Sequence, residues 1–167
     1  MCKKRMMPLL SALLLVLCLS GASAEEPMFA STQAFLEMMQ SSRVWCEFRG
    51  MAGDGEHVVT EASTADGEAV LIDLCFAPDG RLCTLRAPEL IAFAEPQLLT
   101  VLQVCNELNS EYRYVRFCVG ETDRTVTAAL DVRFLPMEAN DAVWEAMQRL
   151  LTIVGEAVPA LMPLSGR

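Results

Sequence analysis

Short strand-like runs joined by tight turns constrain the fold of this chain more than any other feature of its sequence. Apolar residues recur at every second position within the runs, as Val70, Ile72 and Leu74 do, which is typical of strands with one buried face. Turn-forming residues at 65–67 and 78–80 separate the runs, so we expect consecutive strands to pair antiparallel. The runs comprise residues 57–63, 69–76 and 81–85.

Three segments with apolar residues at helical spacing lie before, between and after the strands. The first begins at a predicted N-cap, Ser31, and the second begins near Pro96, since proline suits the first turn of a helix. Asn140 or Asp141 is predicted to cap the third, which Pro159 should end or kink. A further strand pair is expected between the second and third helices. Its runs are 115–119 and 126–134.

The order of these elements predicts an α+β fold of the pattern α-β-β-β-α-β-β-α. Strands with one strongly apolar face need helices packed on that face. We therefore expect a two-layer sandwich, with an antiparallel sheet and its helices on one side. Residues 44–48 alternate in the same way and could add a short N-terminal strand.

The N-terminus has the layout of a secretory signal peptide. Basic residues 3–5 precede an apolar stretch at 9–19, and Ala22-Ser23-Ala24 supplies the small residues at a cleavage site. A spanning helix needs about 20 apolar residues, so a retained anchor is the weaker alternative. We expect cleavage after Ala24 and export, either by secretion or to the periplasm or cell envelope. The expected divisions are signal peptide 1–24, flexible leader 25–30, folded domain 31–162 and C-terminal tail 163–167.

The charge balance excludes two classes of partner. The chain has 22 acidic and 13 basic residues, and three of the basic ones leave with the signal peptide, so the mature formal charge is −12. Such a surface repels phosphate backbones and anionic lipid heads. We therefore expect no binding to nucleic acid or to the membrane surface, and, since the signal peptide is expected to be cleaved, no membrane anchor after cleavage.

No group of residues in the sequence points to catalysis, a cofactor or a metal. The only histidine is His57, near the start of a predicted strand, where a surface position is the simpler interpretation. Cys75 and Cys83 lie eight positions apart without a second close pair, whereas zinc sites favour clustered ligands. The prediction is that the protein is not an enzyme and has no catalytic, cofactor-binding or metal-binding residues.

The hairpin at 76–82 suggests a disulfide. If residues 78–80 form a three-residue loop, Cys75 lies opposite Cys83 and both thiols point to one face. The separation of such a pair is within the range that a disulfide spans, and export permits oxidation. The alternative is two unlinked small apolar residues. Since five cysteines remain in the mature chain, at least one thiol stays free or pairs between chains.

The same register predicts an apolar outer face on the sheet. It places Leu71 and Leu85 with the two cysteines, and Tyr114 and Cys118 lie on the corresponding side of a later strand. An outer face with this much apolar surface usually has a partner, so we expect a homodimer through it.

Two asparagines, Asn106 and Asn109, lie at i and i+3 near the end of the second helix. A ligand-binding role is conceivable. The simpler interpretation is structural, because asparagine tolerates a left-handed helix end and bonds to nearby backbone.

Several of these segments carry a family resemblance. From residue 75 to about 161 the chain resembles the YbjN-domain family, described as bacterial sensory transduction regulators. The resemblance rests on LCFAPDGRLC, on the Asn-Glu-Leu-Asn helix end followed by SEYRYVRF, and on TVTAALDVRF before the last helix. It implies a fold similar to the dimeric type III secretion chaperones, and the family has no established reaction.

Together these observations favour an exported, non-enzymatic module that binds a protein or peptide, in the manner of a chaperone. The alternative is a sensory or regulatory protein of the cell envelope whose cysteines respond to redox state.

Overall fold

The computed structural model describes residues 26–166, which form six strands and three main helices. The predicted signal peptide at 1–24 lies outside the described residues. No helix among the described residues has the length and apolar character needed to cross a membrane. The elements are α1 (Ala30–Ser41), β1 (Cys46–Ala52), β2 (Gly55–Ser63), β3 (Ala69–Phe76), β4 (Leu82–Ala92), α2 (Leu98–Glu111), β5 (Arg116–Gly120), β6 (Thr125–Arg133) and α3 (Ala139–Leu161).

The strands form one antiparallel sheet in the order β1-β2-β3-β4-β6-β5. The predicted two-layer α+β sandwich is confirmed, and the possible extra N-terminal strand is present as β1. This order leaves β1 and β5 as the two edges of the sheet. Edge strands matter for function because each has one row of backbone groups that no neighbouring strand pairs.

A single core fills the space between the sheet and the helices. Phe35 of α1 lies against Phe76 of β3 with 5.5 Å between ring centroids, and Leu150 and Val154 of α3 are fully buried in the same cluster. Burying a side chain of this size stabilises the fold by about 1.5–3 kcal/mol. The alternation that predicted the strands therefore reflects a sheet covered on one side only.

The N-terminal helix begins differently from the prediction. Phe29, and not Ser31, is the N-cap residue of α1, and Ser31 is buried in the first turn. The backbone N–H groups of Met28 and Phe29 donate to the carboxylate of Glu56, a residue of β2 that is only 1% exposed. Residues 28–30 of the predicted flexible leader are therefore held to the domain.

The last helix and the fourth strand are both longer than predicted. α3 begins at Ala139 and continues through Pro159 to Leu161, so the proline does not end the helix where expected. β4 continues to Ala92 across an irregularity between Ala87 and Ile91. Proline is tolerated in a strand at such an irregularity, which explains why Pro88 does not end β4.

The β3–β4 hairpin has a different register from the predicted one. The N–H of Ala77 donates to the carbonyl of Leu82 at 2.9 Å, so the loop contains four residues and not three. Asp79 Oδ1 accepts the N–H of Arg81 at 2.9 Å and holds the additional residue in the loop. A shift of one residue turns a strand's side chains to the other face. Cys83 consequently lies opposite Phe76.

Candidate functional site

The new register separates the two cysteines that were predicted to bridge. Cys83 shares the helix-covered face with Phe76, whereas Cys75 is opposite Thr84 on the outer face. The cysteines among the described residues are all free. The predicted disulfide between Cys75 and Cys83 is therefore wrong, because the four-residue loop directs the two thiols to opposite sides of the sheet.

The residues predicted for the apolar interface do not lie together either. Leu85 is 0% exposed and belongs to the core, while Leu71 is 46% exposed on the outer face. Tyr114 lies beneath the guanidinium of Arg149 on α3, with 4.8 Å between the guanidinium carbon and the ring centroid. Cys118 is exposed on β5, on the opposite face from Phe117. These four residues do not make one surface, and the homodimer stays a prediction.

The outer face carries ionic and polar groups where an apolar surface was expected. His57 Nδ1 lies 3.0 Å from Asp73 Oδ1, and His57 Nε2 lies 3.1 Å from Asp54 Oδ1. Arg86 approaches both carboxylates, at 3.3 Å from Asp54 Oδ2 and 3.8 Å from Asp73 Oδ2. Cys75 is directly opposite His57 across the β2–β3 pair. We call Asp54, His57, Asp73, Cys75 and Arg86 the outer-face cluster.

The protonation equilibria of the cluster reflect these contacts. Partial burial lowers the pKa of His57, but the hydrogen bonds to Asp73 and Asp54 outweigh it and the pKa is raised overall. The hydrogen bond from His57 is the main cause that lowers the pKa of Asp54 to about 2. Burial, together with the nearby Asp54 carboxylate, raises the pKa of the Cys75 thiol to about 11.

This arrangement is poorly suited to nucleophilic catalysis despite its Cys–His–Asp composition. A cysteine nucleophile needs a base free to accept its proton. Here both ring nitrogens of His57 face carboxylates. Cys75 is also 5% exposed, and its raised pKa opposes thiolate formation. A substrate would therefore encounter a protonated Cys75 thiol with little exposed surface.

Asn109 closes one edge of the sheet. Its side-chain amide donates to the carbonyl of Phe117 at 3.0 Å, and its side-chain oxygen accepts the N–H of Phe117 at 2.7 Å. The asparagine thus pairs with β5 as a neighbouring strand would. Asn106 is exposed on the same helix. Both asparagines are exposed, and of the two only Asn109 forms hydrogen bonds with the edge strand.

The opposite edge, at β1, has no such cover. Among residues 26–166, no side chain forms a hydrogen bond with the backbone of Cys46–Ala52. Two open grooves adjoin the start of this strand and meet at Val44. One has a volume of about 370 Å³ and is lined by Leu36, Gln40, Val44, Trp45 and Cys46. The other has a volume of about 430 Å³ and is lined by Met38, Ser42, Val44, Asp141 and Trp144.

The two grooves and the β1 edge form one surface, which we call the β1 surface. The two tryptophans of the protein both lie in it, one in each groove. Trp45 is 53% exposed. Exposed tryptophan beside methionine and aliphatic side chains is typical of protein recognition sites.

Comparison with known proteins assigns no family. No family model matches the chain, and a search of curated proteins finds no significant match.

Sequence reasoning missed the outer-face cluster and the β1 surface for different reasons. The outer-face cluster was detectable in part, since Asp73 and Cys75 are at i and i+2 and must share a face of their strand. Placing His57 beside them required the β2–β3 pairing. The β1 surface was hidden because its grooves join side chains from α1, β1 and α3, which lie far apart in the sequence.

Proposed function

We propose that the protein is an exported, non-enzymatic module that binds an extended apolar segment of another protein at the β1 surface. The observation that carries this proposal is the contrast between the two sheet edges. β5 is covered by Asn109, whereas β1 is uncovered and lies beside two grooves that each contain a tryptophan.

Binding would occur by strand addition. A partner strand that pairs with β1 gains backbone hydrogen bonds, and its alternate side chains point towards the same face as the grooves. The grooves would accept apolar side chains against Trp45 and Trp144. Affinity would then come from the backbone pairing and specificity from the two grooves.

The charge of the surface narrows the choice of partner. Asp141 lines the second groove, and the mature chain has a formal charge of −12. A cation placed beside Asp141 would gain a favourable interaction, although an exposed pair contributes little. We infer that the bound segment is apolar with a neighbouring basic residue.

Three further observations support the proposal. The N-terminal sequence has the layout of a cleaved signal peptide, which supports export of the module from the cytoplasm. The resemblance of residues 75–161 to the YbjN-domain family implies a chaperone-like fold without a known reaction. The blocked ring nitrogens of His57 oppose a catalytic role for the outer-face cluster. The alternative of a redox-responsive sensor has less support, because Cys75 and Cys83 lie on opposite faces.

A peptide-binding experiment tests the proposal. Mature protein is titrated with a panel of synthetic peptides in which apolar residues alternate with polar ones and one flanking residue is arginine. Tryptophan fluorescence reports binding, since both tryptophans lie in the β1 surface. The Trp144→Ala variant lacks one of the two reporters, so its binding is measured with a fluorescently labelled peptide. We expect this variant to bind at least tenfold more weakly, because aromatic anchors dominate such interfaces.

Two controls make the experiment specific. Leu99→Ala changes an exposed apolar residue on α2, away from the grooves, and should leave affinity unchanged. Two further peptides carry N-methyl groups, one on the odd-numbered amides and the other on the even-numbered amides. Only the peptide whose methylated amides face β1 loses the backbone pairing, so we expect one of the two to lose affinity. The proposal is wrong if no peptide of the panel binds, or if Trp144→Ala and Leu99→Ala have equal effects.

A further inference from the structure

We propose that Asp54, His57 and Cys75 form a binding site for a zinc ion on the outer face of the sheet. Each residue offers one ligand atom, and these atoms all lie within 4.8 Å of one another. The proposal goes beyond peptide binding at the β1 surface and does not depend on it.

The three side chains come from adjoining parts of two strands and a turn. Asp54 is in the tight turn between β1 and β2, His57 is on β2, and Cys75 is opposite His57 on β3. Zinc binds imidazole nitrogen, carboxylate oxygen and thiolate sulfur at about 2.0–2.3 Å in tetrahedral geometry, which places the ligand atoms about 3.3–3.7 Å apart. His57 Nε2 and Asp54 Oδ1 are 3.1 Å apart, and since all three ligand atoms lie within 4.8 Å of one another, the widest pair must close by at most about 1.5 Å on binding.

Asp73 supplies the orientation that a metal-binding histidine needs. Its Oδ1 lies 3.0 Å from His57 Nδ1, the ring nitrogen that the ion does not use. Metal-binding histidines usually donate their second N–H to a carboxylate, which fixes the tautomer and directs the other nitrogen to the metal. Here this contact leaves Nε2 directed towards Asp54, and the thiol of Cys75 lies in the same group of ligand atoms.

Arg86 orients the carboxylate ligand in the same way. Its Nη2 lies 3.3 Å from Asp54 Oδ2, whereas Asp54 Oδ1 faces His57. One oxygen can therefore bind the ion while the other keeps its contact with arginine. The remaining charged groups of the cluster, Asp73 and Arg86, offset each other, and zinc binding releases the Cys75 thiol proton to solvent.

The backbone brings the turn close enough to reach Cys75. A Cβ atom at Gly55 would lie 2.1 Å from the carbonyl oxygen of Phe76 and 3.1 Å from Cys75 Sγ, so only glycine allows this approach. Asp54 is exposed at the outer end of the site. Three protein ligands with an exposed side leave a fourth tetrahedral position for water or for a group from a partner.

Cobalt substitution tests the site with a spectroscopic readout. Reduced, chelator-treated mature protein is titrated with Co²⁺ and, in parallel, with Zn²⁺. We expect one ion per chain, a near-ultraviolet thiolate-to-cobalt absorption band, and displacement of Co²⁺ by Zn²⁺. Cys75→Ser should abolish the band, and Asp54→Asn should weaken Co²⁺ binding at least tenfold. Cys118→Ser, which alters an exposed thiol on another strand, should behave as wild type.

Asp54→Asn keeps the proposal testable if Cys75→Ser does not fold, because Asp54 is exposed in a turn and the substitution preserves its shape. Circular dichroism confirms that each variant is folded. The site is refuted if wild type takes up neither ion at micromolar concentration, if Asp54→Asn keeps full affinity, or if the absorption band depends on Cys118 and not on Cys75.

Discussion

At the scale of single residues, the face of the sheet on which a side chain lies decides what it does. Leu71 and Leu85 have the same side chain on neighbouring strands, yet one is exposed and the other is part of the core. Leu85 lies opposite Leu74 on the helix-covered face. A leucine in that position stabilises the fold and is not available to a partner.

Leu85→Ala should therefore reduce the free energy of unfolding by about 2–5 kcal/mol, because the substitution leaves a cavity in a packed core. Leu71→Ala is the matched control, and we expect a change within about 0.5 kcal/mol for this exposed position. Urea denaturation of both variants measures the difference. Equal losses of stability would show that the assigned register of the β3–β4 hairpin is wrong.

The same residues show how far sequence reasoning reaches. Alternation correctly separated the two faces within β3, so the burial of Ile72, Leu74 and Phe76 was predictable. Which side chains of β4 face the core depended on the length of the loop before it. The Asp79 carboxylate accepts the N–H of Arg81 and so holds a fourth residue in the loop, which the Pro-Asp-Gly motif does not reveal. Cys83 and Leu85 were consequently assigned to the wrong side.

At the scale of elements, the two edge strands differ in whether a side chain covers their backbone. The Asn109 side chain satisfies the backbone of Phe117 on β5, so α2 protects that edge from unwanted pairing. β1 has no such contact from the described residues and begins beside the two grooves. An uncovered edge risks aggregation, and proteins that retain one often use it to bind an extended segment.

Replacing Asn109 should expose the β5 edge. We expect Asn109→Ala to reduce the free energy of unfolding by about 0.5–1.5 kcal/mol, because the N–H and carbonyl of Phe117 lose a protein partner at a part-buried edge that water can reach. Asn106→Ala removes the same side chain from an exposed position of α2 and should change stability by less than about 0.5 kcal/mol. Thermal or urea unfolding compares the two. If both variants lose equal stability, the edge contact is not the reason for the effect.

At the scale of the whole molecule, the helices cover one face of the sheet and leave three features accessible: the β1 edge, its grooves and the outer-face cluster. The element order and the layer arrangement were predictable, since each element has its own periodicity in the sequence. The outer-face cluster was predictable only in part, because it depends on the register between neighbouring strands, and the β1 surface was not, because it joins α1, β1 and α3. The net acidic charge of the chain, with 22 acidic and 13 basic residues, favours a partner that presents basic groups to the β1 surface.

Hydrogen–deuterium exchange measured with and without a bound peptide of the alternating panel tests the central claim most directly. Strand addition would pair the free amides of β1, so we predict slower exchange within Cys46–Ala52 and around Trp45 and Trp144 when peptide is present. Exchange in β5 should not change, because Asn109 and α2 already cover that edge. Peptide-dependent protection confined to β5 or to the outer face, with β1 unchanged, would contradict the assignment of β1 as the binding edge.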